Sequence, residues 1–94
     1  MTLFGTAGND ILVGTSGADV ISGLEGNDTI KGHGGNDVIC GGDGKDRIYG
    51  GSGKDRLYGG MGRDHLDGGS GRDFCNGGPG RDTAIRCERT RSIP

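Results

Sequence analysis

Residues 41–60 read GGDGKDRIYGGSGKDRLYGG, a nine-residue unit that occurs twice and then begins a third time. The spacing extends in both directions, because an aspartate occurs at every ninth position: Asp10, Asp19, Asp28, Asp37, Asp46, Asp55, Asp64, Asp73 and Asp82. A glycine lies two residues before each aspartate, and another lies five residues before it, at Gly5, Gly14, Gly23, Gly32, Gly41, Gly50, Gly59, Gly68 and Gly77. A flexible linker has no reason to keep such a register along nearly the whole chain, so the period predicts a solenoid.

The composition excludes several other classes of protein. Glycine supplies 24 of the 94 residues, 29% of the chain is hydrophobic, and there is no tryptophan. These residues cannot fill a conventional core, and this much glycine weakens helices. No apolar run approaches the roughly 20 residues of a membrane span. Helical bundles and helical membrane proteins are therefore excluded, and a repeat fold in which glycine has a positional role is favoured.

Each unit divides into a turn and a short strand. The six residues GGSGKD at 50–55 are typical of a turn, and RLY at 56–58 is an extended segment with one apolar residue at its centre. If two units make one coil, these segments stack into two parallel sheets lined by the central residues: Leu12, Ile21, Ile30, Ile39, Ile48, Leu57, Leu66, Cys75 and Ala84. Nine units then predict an all-β fold, a parallel β-roll of about four and a half coils.

The repeat also predicts the boundaries of the roll. We expect residues 5–85 to form it, with 1–4 as an N-terminal cap segment and 86–94 as a C-terminal cap and tail. The sequence MTLF at the start could pair as a half-strand over the first coil. The last residues of the tail are expected to fray.

Stacking every second unit places the aspartates in two columns on opposite edges of the roll. Carboxylates repeated about every 5 Å repel one another in the absence of a counter-charge. The turns also bring backbone carbonyls together, and carboxylate and carbonyl oxygens are the ligands that Ca²⁺ prefers. We therefore predict that Ca²⁺ ions bridge neighbouring coils, cancel this repulsion and hold the strands together.

The pattern resembles the RTX (repeat-in-toxin, haemolysin-type) family, whose nonapeptide is G-G-x-G-x-D-x-U-x. The resemblance covers roughly nine-tenths of the chain, including the two complete units at 41–58. It implies a right-handed parallel β-roll with several Ca²⁺ ions between successive turns, secretion, and folding on contact with extracellular calcium. It also implies that each of the nine aspartates supplies carboxylate oxygens. Carbonyls of the first glycine and the third residue of each turn would complete the shell, as at Gly41 with Asp43 and Gly50 with Ser52.

The chain departs from the nonapeptide at both ends. In the first four units the second glycine is replaced by Thr6, Thr15, Leu24 and His33. In the last two units the central apolar position of the strand is occupied by Cys75 and Ala84. We expect less regular turns at the start and weaker sites at the end. Because the end turns lack a neighbour on one side, at most about seven inter-turn sites are complete.

The residue before each aspartate changes from mostly Asn to cations at Lys45, Lys54, Arg63, Arg72 and Arg81. Residues 1–43 carry one positive and six negative side chains, whereas residues 44–94 carry ten and seven. One interpretation is that the cations compensate the carboxylate columns. The other is a basic edge that meets an anionic surface, such as lipopolysaccharide or nucleic acid. Aromatic residues are too few to predict sequence-specific nucleic-acid recognition.

The three cysteines lie in two different environments. Cys75 and Cys87 lie close together in sequence where the repeat fails, so a disulfide could seal the open end of the roll in an oxidising compartment. Two reduced thiols are the alternative. Cys40 lies at an outward position, either free or as a cross-linking point.

We expect a non-enzymatic, calcium-triggered folding module of a secreted or cell-surface protein. Ser16, Ser52 and Ser70 lack a positioned base, and His33 and His65 occupy different positions of their units, so catalysis has no support. Two alternatives stay open. An adhesin-like surface would need a regular outward row of Thr or Asn, and the C-terminal module of a secreted hydrolase or toxin would have its catalytic domain elsewhere.

Overall fold

The computed structural model describes residues 2–78, 80, 82–87 and 89–91. This part of the chain contains strands of three residues and no helix: β1 Thr2–Phe4, β2 Ile11–Val13, β3 Val20–Ser22, β4 Thr29–Lys31, β5 Val38–Cys40, β6 Arg47–Tyr49, β7 Arg56–Tyr58, β8 His65–Asp67, β9 Phe74–Asn76, β10 Thr83–Ile85 and β11 Arg89–Arg91. Among these residues there is accordingly no helix that could cross a membrane.

The strands form two parallel sheets. The odd-numbered strands make one six-stranded sheet and the even-numbered strands make a five-stranded sheet. Paired strands come from every second unit, as in the pairs Ile21 with Ile39 and Ile39 with Leu57. The predicted parallel β-roll with two units per coil is confirmed.

Hydrogen bonding extends beyond the three residues of each strand. The Asp28 carbonyl accepts the N–H of Arg47 at 2.8 Å, and the Gly32 N–H donates to the Tyr49 carbonyl at 2.8 Å. The same two bonds recur along both edges. Each coil therefore pairs with the next from its aspartate to the following glycine, which compensates for the shortness of the strands.

The core is a single row of apolar side chains on each sheet. Eight of the nine predicted inward residues are buried, from Leu12 to Cys75, and Ala84 is half-buried at the end of the row. Each unit contributes only one such side chain. The apolar area that stabilises a coil is consequently small, and contacts between turns must contribute to the stability.

The two ends of the roll differ. Strand β1 pairs with β3, so the predicted half-strand over the first coil is confirmed. At the other end β11 pairs with β9, and Arg89 lies opposite Phe74, fifteen positions earlier. The last coil is thus three residues shorter than the others, and residues 92–94 of the expected frayed tail lie outside the described residues.

The C-terminal end carries two further links. The disulfide Cys75–Cys87 joins β9 to the segment after β10, with Cα atoms 6.0 Å apart. Beside it, the Arg86 guanidinium donates to both carboxylate oxygens of Asp67, with Nε 2.9 Å from Oδ1. This guanidinium holds the pKa of Asp67 below its usual value. Cys40 is a half-buried free thiol.

Removal of the disulfide should destabilise the roll. The double variant Cys75→Ser/Cys87→Ser opens the short loop that this bond closes, and we expect the free energy of unfolding to fall by about 3 kcal/mol. Urea denaturation in the presence of calcium measures this change. Cys40→Ser is the matched control and should leave the midpoint unchanged. Equal midpoints for the double variant and the control would contradict a stabilising disulfide.

Candidate metal centre

The nine predicted aspartates lie where each turn meets its strand, in two columns. In one column the N–H of each aspartate donates to Oδ1 of the equivalent aspartate in the next coil, at 2.8–2.9 Å, along Asp10, Asp28, Asp46, Asp64 and Asp82. The opposite edge repeats this ladder at 2.9 Å along Asp19, Asp37, Asp55 and Asp73. Eight of the nine are 6% exposed or less, and Asp10 is half-buried. From the second aspartate of each column onwards, one carboxylate oxygen is thus engaged with a neighbouring coil.

The second carboxylate oxygen is different. Oδ2 is buried, and within the described residues it has no hydrogen-bond partner at Asp28, Asp37, Asp46, Asp55, Asp64 and Asp82. A buried oxygen of an ionised carboxylate is costly unless a donor or a cation meets it. Repetition of this feature along both columns fits a cation-binding role rather than a local defect.

Carbonyl oxygens lie beside these carboxylate oxygens. A Cβ placed on Gly23 would meet Asp28 Oδ2 at 2.6 Å and the Gly41 carbonyl oxygen at 2.7 Å. Cβ atoms placed on Gly32 or Gly50 would likewise meet Oδ2 of the aspartate five residues on and the carbonyl of the first glycine in the next coil. The first glycine is required because oxygens occupy the space of a side chain. Carboxylate and carbonyl oxygens together are a donor set that fits Ca²⁺.

The donor set contains few side chains. Among the described residues no three His, Cys, Asp or Glu side chains converge on one point. An ion between two coils would therefore need backbone carbonyls for most of its ligands. The first-glycine carbonyls lie beside the carboxylates. Their role as ligands, and that of the third-residue carbonyls of Asp43 and Ser52, stays a prediction. The N–H groups of these two residues donate to the Leu24 and His33 carbonyls at 2.9 Å.

Burial and neighbouring carboxylates oppose ionisation of the columns. Burial first, and then the charges of the adjacent aspartates, raise the pKa of Asp46 to about 7 and that of Asp55 and Asp64 to about 8. Burial is also the main cause of raised pKa values at Asp28, Asp37 and Asp82. At neutral pH the columns consequently hold carboxyl groups that need either a proton or a metal cation.

The expected irregularity of the first turns takes two forms. Leu24 and His33 adopt φ of 67° and 69°, so they keep the left-handed conformation of the glycines they replace. Thr6 and Thr15 instead donate a hydroxyl to the aspartate of their own unit, with Oγ1 3.1 Å from Asp10 Oδ1 in the first case and 2.9 Å from Asp19 Oδ1 in the second. The first coil therefore satisfies its carboxylates partly from within the same turn.

Sequence reasoning missed a second ladder, which is made by asparagines. The Asn9 side-chain oxygen accepts the Asn27 N–H at 2.8 Å, and that of Asn27 accepts the Lys45 N–H at 2.8 Å. Asn36 accepts the Lys54 N–H at 2.9 Å on the other edge. The recurrence of asparagine two units apart, at Asn9 and Asn27, was the available signal.

The comparisons with known proteins agree with this geometry. The family model of the RTX calcium-binding nonapeptide repeat matches the chain in four overlapping copies, at residues 4–39, 13–48, 32–66 and 49–84. No curated protein and no solved structure matches the chain. The matched copies span most of the sequence and coincide with the aspartate columns. The repeat is a structural calcium-binding unit and not a catalytic one, and this chain belongs to the RTX calcium-binding nonapeptide repeat family.

Proposed function

We propose that the chain is a non-enzymatic β-roll module of a secreted or cell-surface protein, and that Ca²⁺ triggers its folding. The observation that carries this proposal is the set of buried Oδ2 atoms that have no hydrogen-bond partner among the described residues and lie beside a first-glycine carbonyl of the next coil, at Asp28, Asp37, Asp46, Asp55 and Asp64. Ca²⁺ supplies a hard cation to such oxygens. The raised pKa values of the same carboxyl groups support the need for a counter-charge.

The proposed ligands follow the repeat. Carboxylates of the nine column aspartates would bind the ions together with the first-glycine carbonyls from Gly5 to Gly77 and third-residue carbonyls such as those of Asp43 and Ser52. Paired turns along the two columns allow at most about seven complete sites. The sites of the first coil should differ from the rest, because Thr6 and Thr15 already donate to Asp10 and Asp19.

The division of the chain follows from the same repeat. We place the calcium-binding roll at residues 5–85, with 1–4 and 86–94 as end segments. Secretion is supported by the Cys75–Cys87 disulfide, since such bonds persist in oxidising compartments. An extracellular module works with calcium dissociation constants of roughly 10⁻⁴–10⁻³ M. In a larger parent polypeptide, the roll would be a rigid module that folds only outside the cell.

Coupling of folding to calcium follows from the energetics of the columns. The metal-free chain has one core side chain per unit, and folding must bury carboxylates that repel one another. An ion that binds only the folded chain stabilises it. When calcium is in excess, this stabilisation increases with the logarithm of the ratio of the calcium concentration to the dissociation constant. The metal-free chain should therefore be largely unfolded, and the calcium-loaded chain folded.

A calcium titration followed by far-UV circular dichroism tests the proposal. Metal-free protein should change cooperatively from coil to β-structure as Ca²⁺ is added, and a chelator should reverse the change. Mg²⁺ is the control and should produce little change, because it demands near-ideal octahedral geometry and retains its waters. A chain that is fully β-structured in chelator, or that responds equally to Mg²⁺, would contradict calcium-triggered folding.

A further inference from the structure

Six exposed cations lie among the described residues of the second half of the roll: Lys45, Lys54, Arg47, Arg56, Arg63 and Arg72. In the described part of the chain none of them makes an ion pair or a side-chain hydrogen bond, although carboxylates of the columns lie one residue away. Compensation of the columns through direct contact is therefore not observed, and these charges face solvent.

Their presence also interrupts a stabilising feature of the first half. At the position before the aspartate, asparagine accepts the N–H of the next coil, but lysine and arginine side chains have no acceptor. The asparagine ladders accordingly stop where Lys45 and Lys54 begin. A position that gives up a coil-to-coil hydrogen bond for an unpaired cation is better explained by an interaction outside the roll.

The cations line two equivalent grooves, one on each edge. The first groove has a volume of about 630 Å³ and is lined by Lys54, Arg56 and Arg72. The second has a volume of about 520 Å³ and is lined by Lys45, Arg47 and Arg63. Each groove combines one lysine with two arginines, and these cations come from two successive coils, which lie about 4.8 Å apart along the roll axis.

We propose that these two grooves bind a linear polysaccharide that carries sulfate or phosphate groups. The arginine guanidinium matches such oxyanions with paired N–H donors, and clusters of three cations on both edges suit a polymer that carries several anions. Nucleic acid fits less well, because single-stranded bases need free aromatic faces. The aromatic ring at the first groove, Phe74, is half-buried and packs against Tyr58 with ring centroids 6.0 Å apart.

Calcium should strengthen this binding. Aspartates of the columns are among the residues that line both grooves, so the charge of a column without calcium opposes the same anions that the cations attract. This part of the inference rests on the proposed calcium sites, whose ions would neutralise the carboxylates. Each ligand would then raise the affinity of the other, since such coupling is reciprocal.

Titration of the intact chain with heparin, a sulfated polysaccharide used as the probe, tests the inference. In millimolar calcium and moderate salt we expect saturable binding. Arg72→Gln should weaken it about threefold, and Lys54→Gln/Arg56→Gln/Arg72→Gln roughly tenfold or more. Lys31→Gln is the matched control, because Lys31 is an exposed cation on β4 that lines neither groove, and it should leave the affinity unchanged.

Three results would overturn the inference: absence of saturable binding by the parent chain, equal losses for Arg72→Gln and Lys31→Gln, or tighter binding of a single-stranded oligonucleotide than of heparin. Circular dichroism of every sample shows whether the variants fold and whether calcium changes the parent chain. A parent chain that binds heparin through the grooves without responding to calcium would retain this inference and refute the proposed function. A chain that folds with calcium but does not bind heparin would refute this inference and retain the proposed function.

Discussion

Gly53→Ala is expected to remove a large part of the stability of the calcium-loaded roll. Gly53 has φ of 98°, a conformation that alanine adopts at a cost of about 1–2 kcal/mol. Its added Cβ would also lie against the Gly35 carbonyl oxygen of the preceding coil, well inside van der Waals contact. Overpacking against backbone adds about 1–3 kcal/mol. We therefore expect a loss of about 2–5 kcal/mol, against the roughly 5–15 kcal/mol that is typical of a whole domain.

Gly17→Ala is the matched control for this prediction. Gly17 occupies the same fourth position of its unit on the same edge, but it lies in the first coil. A Cβ there would have its nearest neighbour, Thr15 Oγ1, 3.8 Å away. The control should change the unfolding free energy by about 0.5 kcal/mol or less, as measured by urea denaturation in saturating calcium. Similar urea midpoints for the two variants would show that the turns do not stack as closely as the structure has them.

The comparison of these two glycines shows what the repeat can and cannot predict. Periodicity alone placed Gly17 and Gly53 in equivalent positions and predicted the coil of two units, the buried apolar row and the two aspartate columns. These features depend only on the translation from one unit to the next. The steric demand on a glycine depends also on which coil lies behind it, and the nonapeptide pattern does not contain that information.

Features at the ends of the roll were not predictable for the same reason. The hydroxyl of Thr6 donates a hydrogen bond to the Asp10 carboxylate, and the guanidinium of Arg86 donates to the Asp67 carboxylate. Each is a local contact that the nonapeptide does not repeat along the roll, so its spacing does not indicate it. The unpartnered Oδ2 atoms could not be predicted either. Only the three-dimensional structure shows that Oδ1 of a carboxylate accepts a hydrogen bond and that its Oδ2 does not.

Asp55→Asn should have opposite effects with and without calcium. Oδ1 of Asp55 accepts the Asp37 N–H at 2.9 Å, and an asparagine oxygen can keep this bond. Its amide nitrogen would replace the unpartnered Oδ2 without a charge. In chelator at pH 8 the variant should be more stable than the parent by about 1–2 kcal/mol, because it removes one buried and repelled carboxylate. In calcium it lacks an anionic ligand, and its apparent affinity should fall on the order of tenfold.

The dependence on pH gives this prediction a definite sign. Burial raises the pKa of Asp55 to about 8 in the folded chain, above the ordinary value of 3.8 that the unfolded chain retains. The folded chain thus binds the proton more tightly, and its stability without calcium falls as the pH rises from about 4 to about 8. Asparagine has no proton to lose at this position. The advantage of the variant in chelator should therefore be near zero at pH 4 and greatest at pH 8.

Circular dichroism in chelator and in calcium, across this pH range, measures both effects on the same samples. Asp43→Asn is the matched control, since Asp43 is an exposed carboxylate in a turn and the substitution keeps its backbone carbonyl. It should leave both the residual β-structure and the calcium midpoint nearly unchanged. If Asp55→Asn instead lost β-structure in chelator as well, its carboxylate would stabilise the metal-free roll. The columns would then be structural hydrogen-bond ladders first and calcium ligands second.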